Sequence, residues 1–192
     1  KYHAQRVFKR VIDMNDDADV GCYHTFGLRA VGYKTRLKFI EYYMQKVVDE
    51  GNEVGLVVID GIADLVSDVN NLEESNMCVQ KIMELSSRFN CHIVTVIHSN
   101  FGSDKPTGHL GSFCEKKCES QIAVEKNTVN DGWITVSCKR SRGFSFDTFS
   151  FKVNEIGFPV IIGDLYDPLA DIPHIRETVV QPKQNKWKQL SI

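Results

Sequence analysis

The sequence predicts an α/β fold: a mainly parallel sheet flanked by helices, with an antiparallel extension at its carboxy-terminal side. Three observations carry that expectation. Two apolar runs without alternation, "GLVVI" at 55–59 and "CHIVTVI" at 91–97, have the pattern of strands buried on both faces. Between them, apolar residues recur at helical spacing, so strand, helix and strand follow one another as right-handed parallel crossovers require. Further on, "ESQIAVEK" and "WITVSCKR" flank Asp131-Gly132, a pair that favours tight hairpin turns.

The elements follow in order. Residues 1–14 form a helix from the spacing of Ala4, Val7, Phe8, Val11 and Ile12. "CYHTFGLRAV" (22–31) reads as a short strand ending in a loop. From Arg36 to Glu50 a second helix lines Leu37, Ile40, Met44, Val47 and Val48 along one face, and Gly51 stops it. The strand ending on Asp60 comes next. Asn71, with Glu74 three residues later, resembles a capping box, and the helix it opens carries Cys78, Ile82, Leu85 and Phe89 on one side. The next strand ends on His98. The stretch 100–113, with three glycines and a proline, reads as a mobile loop. "FSFKV" (149–153) and "FPVII" (158–162) add antiparallel strands. Residues 1–163 are expected to form one core, and residues 164–192 a tail that wraps the domain or reaches a neighbour, partly disordered, with a basic end.

Composition narrows the class. With 192 residues, 42% hydrophobic and 25% charged, the chain can bury a proper core. Its formal net charge of −2 means that any nucleic-acid surface must be local. No apolar run approaches the roughly 20 residues that cross a bilayer, so no membrane partner is expected. Six scattered cysteines in a domain of this size read as reduced thiols, which points to the cytoplasm. Cys114 and Cys118, four apart with His109 nearby, raise a zinc site as an alternative to ordinary half-buried thiols. The chain opens on Lys1 directly in a helix, from which a segment upstream is expected.

The chemistry gathers at strand ends. Asp60 closes a parallel strand, where α/β proteins bind ligands, and a carboxylate there can hold Mg²⁺ through water beside nucleotide phosphates. The bland alternative is a loop cap, since Asp-Gly is a common turn pair. Asp64 follows one turn later. His98, Ser99 and Asn100 end the following strand and are placed to sense a γ-phosphate; a histidine bonded to local backbone is the competing reading. Lys105 and His109 in the mobile stretch could face a phosphate backbone. Lys139, Arg140 and Arg142 close another strand, either as a solvated strand end or as an arginine finger reaching a neighbour's nucleotide, an effect worth about 10³ to 10⁵ in rate in related chemistry. The phosphate-cradling pattern GxxxxGK[ST] is absent. Its nearest imitation, "GLRAVGYKT" (27–35), has one residue too many before Lys34, which moves the ammonium and the Thr35 hydroxyl out of register with the backbone amides.

Taken together, these residues resemble the RecA-like P-loop ATPases, most closely the branch of the hexameric plasmid replicative helicase RepA and related mobilisation ATPases of mobile elements. "LVVIDGIADLVSDVNNLEES" is similar to that branch's Walker B segment, "VIHSN" to its histidine-bearing sensor, "GHLGSFCEKKCES" to its channel-lining loop with the return helix, and "KRSRG" to its finger. The resemblance covers residues 1 to about 162. It implies a Mg²⁺ carboxylate at Asp60, a γ-phosphate sensor at His98, and Arg140 and Arg142 acting in trans. Asp64, Asn100 and Lys139 would lie around the nucleotide, and Lys105 and His109 on DNA, expected to be single-stranded. ATP and Mg²⁺ are the implied cofactors, and a hexameric ring or filament the implied assembly. In that family the phosphate loop and a catalytic glutamate precede the helix that here begins at Lys1. A strand followed by GxxxxGK[ST] upstream would support the ATPase; a Met immediately before Lys1 would leave a non-catalytic RecA-fold module for DNA binding or assembly.

Overall fold

In a computed structural model, residues 2–14, 22–100, 102–103, 105–130 and 132–162 of the protein are described. The proposed tail, 164–192, lies outside them. The fold is mixed α/β and the chain divides into two compact units. One takes the residues up to Ala123 together with Ser137–Asp147; the other takes Val124–Val136 and the described residues from Thr148 on.

The first unit contains α1 (Tyr2–Met14), α2 (Tyr33–Asp49), β1 (Leu56–Ile59), α3 (Leu72–Phe89), β2 (His92–Thr95) and α4 (Gly108–Lys117). A 3₁₀ turn, Ile62–Leu65, follows β1. Strands β1 and β2 pair in parallel, with Leu56 opposite His92 and Ile59 opposite Thr95. Ile59, Ile62, Val79, Ile82 and Leu110 build one core cluster, on which Val57, Ile93 and Phe113 pack. Met44, Leu85 and Cys91 form a second, backed by Leu37 and Ile40. The helical faces expected on α2 and α3 are therefore the buried ones, except that Val48 is 41% exposed and sits off its stripe.

Helix ends follow local chemistry. Gly51 takes φ +82° just past α2, where its N–H donates to Val48 O, a position costly for any residue with a Cβ. Asn71 caps α3 by accepting from Glu74 N at 3.0 Å. The reciprocal half of the capping box is absent: the Glu74 carboxylate accepts instead from the N–H and hydroxyl of Ser67. Ending α3, Asn90 adopts φ +48°, which an asparagine tolerates better than most residues.

Three expectations are corrected. The segment 22–31 forms no strand; its rings pack sideways on α2, with Phe26 4.4 Å from Tyr43 and 5.1 Å from Phe39 between centroids. Strands β1 and β2 are not buried on both faces. Helices cover the side of Val57, Ile59 and Ile93, while Leu56, Val58, Val94 and Val96 remain 41–61% exposed. The antiparallel strands do not extend the parallel sheet. β3 (Ser120–Lys126), β4 (Trp133–Ser141), β5 (Phe149–Val153) and β6 (Pro159–Ile162) form a separate sheet in that order. The chain enters α4 between β2 and β3, and β3 then finds its neighbour in β4 across the turn at 127–133. There Asn127 Oδ1 accepts from Val129 and Asn130 N–H groups, and Gly132 takes φ +75°. Asp131 lies outside the described residues.

Candidate functional site

The carboxyl ends of β1 and β2 are stitched together by their backbones. Val96 N–H donates to Ile59 O at 3.0 Å, and Val96 O accepts from Ile62 N–H at 3.0 Å. Asp60 is thereby held between two fixed points, with its side chain exposed. Gly61 turns the chain at φ +96°, and Ile62, 1% exposed, anchors the turn in the core. His98 lies two residues past Val96 at the same end of the sheet, also exposed. The parallel register thus brings Asp60 and His98 to the same end of the β1–β2 pair, the carboxyl end at which open α/β sheets take ligands.

Asp64 has another partner. Arg36 on α2 donates through Nη1 to Asp64 O at 2.6 Å, and the same nitrogen lies 3.6 Å from Asp64 Oδ2. The other guanidinium nitrogens hold Val31 O at 2.8 Å and Arg29 O at 3.2 Å. One arginine therefore ties the turn before α2 to the turn after β1. That turn belongs to "GLRAVGYKT": Val31 N–H donates to Leu28 O, and Gly32 caps α2 in extended conformation. Lys34 and Thr35 stand in the first turn of a helix, as the imitation of a phosphate loop would need. No strand precedes them among the described residues, and the guanidinium of Arg36 occupies the loop carbonyls.

Past β2, the chain makes a small closed loop. Ser99 bridges to Pro106, Asn100 N–H donates to Lys105 O at 2.9 Å, and Thr107 donates to His98 O through both N–H and hydroxyl. The expected long mobile stretch is corrected here, because α4 begins at Gly108. The glycines permit this. A Cβ on Gly108 would meet Val69 O at 2.7 Å, and one on Gly111 would meet Pro106 Cβ at 2.5 Å. Close approach lets Leu110 N–H reach Val69 O and buries the Leu110 side chain completely. Asn70, Asn100, Lys105, His109, Ser112 and Glu115 line a cleft of about 280 Å³ at this end. Lys105 and His109, both exposed, therefore share one polar cleft with Asn100.

The basic cluster divides by contact. Arg142 donates through Nε to Cys118 O at 3.2 Å and through Nη2 to Lys116 O at 3.1 Å, capping the last carbonyls of α4. Arg140 is 56% exposed and makes one loose pair with Glu115 at 3.5 Å. Lys139 is exposed on β4. All six cysteines are free. Burial pushes the Cys78 thiol up to about 12 and the Cys114 thiol up to about 11. Among the described residues no three His, Cys, Asp or Glu side chains are grouped to hold a metal ion. Asp60 stands at this end of the sheet as an exposed carboxylate, and the sequence holds no GxxxxGK[ST].

Sequence reasoning missed Arg36, whose guanidinium holds the carbonyls of Val31, Asp64 and Arg29, and Asn70, which lines the cleft beside Lys105 and His109. Nothing in the spacing around Arg36 announces those carbonyls. Gly108 and Gly111 did carry a signal, as glycines inside a stretch that also has helical apolar spacing at Leu110, Phe113 and Cys114. No helix among the described residues is long and apolar enough to cross a membrane. No protein-family model matches the chain, and no curated protein is similar enough to it to count as a relative.

Proposed function

We propose that this chain is part of a DNA-associated, RecA-like ATPase of the helicase type, acting in replication or mobilisation of a genetic element in the cytoplasm. The observation that carries the reading is the pairing of β1 with β2, which sets Asp60 and His98 at one end of a parallel sheet. ATP would be hydrolysed between subunits of a ring or filament. Mg²⁺, when bound, neutralises charge on the β and γ phosphates. Asp60 would hold it through water, and His98 would sense the γ-phosphate and pass its state through His98 O and Thr107 to the start of α4. Arg140, the looser of the two arginines, is the better finger; Arg142 would position it by fixing the strand end to α4. Single-stranded DNA would lie along Lys105 and His109.

A second reading, a non-catalytic RecA-fold module for DNA binding or assembly, is favoured by one specific observation: no GxxxxGK[ST] occurs in these 192 residues. DNA-stimulated ATP hydrolysis by the polypeptide that carries this chain separates the two. Asp60→Ala is expected to reduce turnover by about 10² or more, as loss of a metal carboxylate does. Unchanged turnover removes Asp60 from the site, and absence of hydrolysis in the parent with DNA binding intact favours the module.

A further inference from the structure

Strand β4 ends at Ser141, and the residues that follow are tied to the end of α4 within the first unit. Arg142 N–H donates to Glu119 O at 3.0 Å, and its guanidinium holds the carbonyls of Cys118 and Lys116. The Ser141 hydroxyl accepts from Gly143 N–H at 3.2 Å and lies 3.3 Å from the Ser120 hydroxyl. After this anchored start, residues 144–147 form neither helix nor strand. Phe144 is exposed over its whole side chain, and Phe146 is 39% exposed. The Phe144 ring therefore adds no packing to the described fold, although its backbone is fixed two residues earlier. Cations gather at the same corner. Lys116 and Lys117 close α4 and are exposed, Arg142 sits against them, and exposed Lys139 adds charge just before Ser141. Of the nearby carboxylates, Glu115 is engaged by Arg140, which leaves Glu119 and Asp147. The corner is basic in a chain whose formal net charge is −2.

We propose that this corner binds single-stranded nucleic acid, with one base stacked on Phe144 and the adjoining phosphates against Lys116 and Lys117. The chemistry selects that ligand. A protein interface has an apolar centre depleted in charge, whereas here one free ring stands among lysines and arginines. A single strand offers what the corner can take: a π-face on every base and a negative charge on every linkage. A duplex keeps its bases stacked on one another, so the ring can reach a base only where the strand is unpaired. The anchored start gives the contact its rigidity, because Arg142 and Ser141 hold the backbone while Phe144 stays free to stack. The site is separate from Lys105 and His109. It uses neither Asp60 nor Arg140 and does not rest on the ATPase reading.

Fluorescence anisotropy of the full chain with a labelled 20-nucleotide oligo(dT) tests it, beside an abasic strand of the same length. Phe144→Ala is expected to raise the Kd for oligo(dT) roughly tenfold and to leave the abasic strand unaffected, since only the bases stack. Phe144→Trp should restore the affinity. A Lys116→Ala, Lys117→Ala double variant should weaken both strands and reduce the log–log salt slope by about 1.4. Both sites are exposed, so the variants should melt like the wild type. An unchanged Kd for oligo(dT) in Phe144→Ala would overturn the proposal, and binding through Lys105 and His109 would then stand without it. An equal loss on the abasic strand would also overturn it, because the ring would not be reading bases. So would a Phe144→Ala chain that keeps its oligo(dT) affinity but loses self-association or binding to anionic phosphatidylglycerol vesicles, which would give the ring to a second copy or to a membrane.

Discussion

Glu74 shows how one side chain can leave its expected partner without losing its value. Placed three residues after Asn71, it should return to the Asn71 N–H; it accepts from Ser67 instead, and Asn71 still caps the helix. The Ser67 hydroxyl and N–H, aided by Asp68 N–H and the nearby Lys34, hold its carboxyl below the ordinary value of 4.5. The ion is thus favoured in the folded chain. The sign follows: its contribution is complete above the ordinary carboxylate value and is lost as pH falls through the lowered one. Thermal melts of wild type and Glu74→Gln should therefore converge as the pH is taken from 7 to below 4, with the wild type the more stable at neutral pH. A gap that stays constant with pH would show that the charge on Glu74 contributes nothing. The site residues behave differently at this scale. Asp60 and His98 were legible because each follows an apolar run, and the end of a strand is visible in sequence. Asp64 meets Arg36, 28 positions earlier, and the pattern around it says nothing of that partner.

At the scale of elements, α4 is the most instructive. Three glycines and a proline between 100 and 113 suggested mobility, yet two of the glycines serve close packing rather than freedom. Gly111 lies against Pro106, and Gly108 against the carbonyl of Val69 at a positive φ. Gly111→Ala is expected to destabilise the chain by about 1–3 kcal/mol, because the added methyl meets a proline ring and its backbone, neither able to swing aside. Denaturant melts measure this, and a loss below ~0.5 kcal/mol would mean that the loop yields freely. The strands divide similarly. Their existence and the β1–β2 order followed from apolar runs and alternation. Their exposure did not, since an unalternated run tells what each face is suited to bury and not whether a neighbour arrives to bury it. Leu56, Val58, Val94 and Val96 are apolar residues on a face that the described helices leave open.

For the whole molecule, the proposed function turns on more than one copy. If Arg140 acts on a neighbour's nucleotide, Arg140→Ala and Asp60→Ala chains should each be inactive alone. Mixed, they should recover a measurable part of the DNA-stimulated hydrolysis, because some interfaces then pair an intact Asp60 with an intact Arg140. No recovery on mixing, with assembly shown to occur, would place the arginine's role within its own chain. The contacts of Arg142 with the end of α4 predict that it will not complement in the same way, since its loss disturbs the strand end on which Arg140 stands. By itself the sequence determined the order of the elements apart from 22–31 and α4, the helical faces, the hairpin at 127–133 and the carboxylate and histidine that follow successive apolar runs. Those features depend on short-range periodicity and on turn chemistry, which neighbouring residues set. Tertiary structure alone decided that β3–β6 form their own sheet, that Arg36 claims Asp64, that α4 starts at Gly108, and that Arg142 caps a helix while Arg140 stays exposed. Each of these depends on a partner distant in sequence, and the local pattern carries no record of which partner is met.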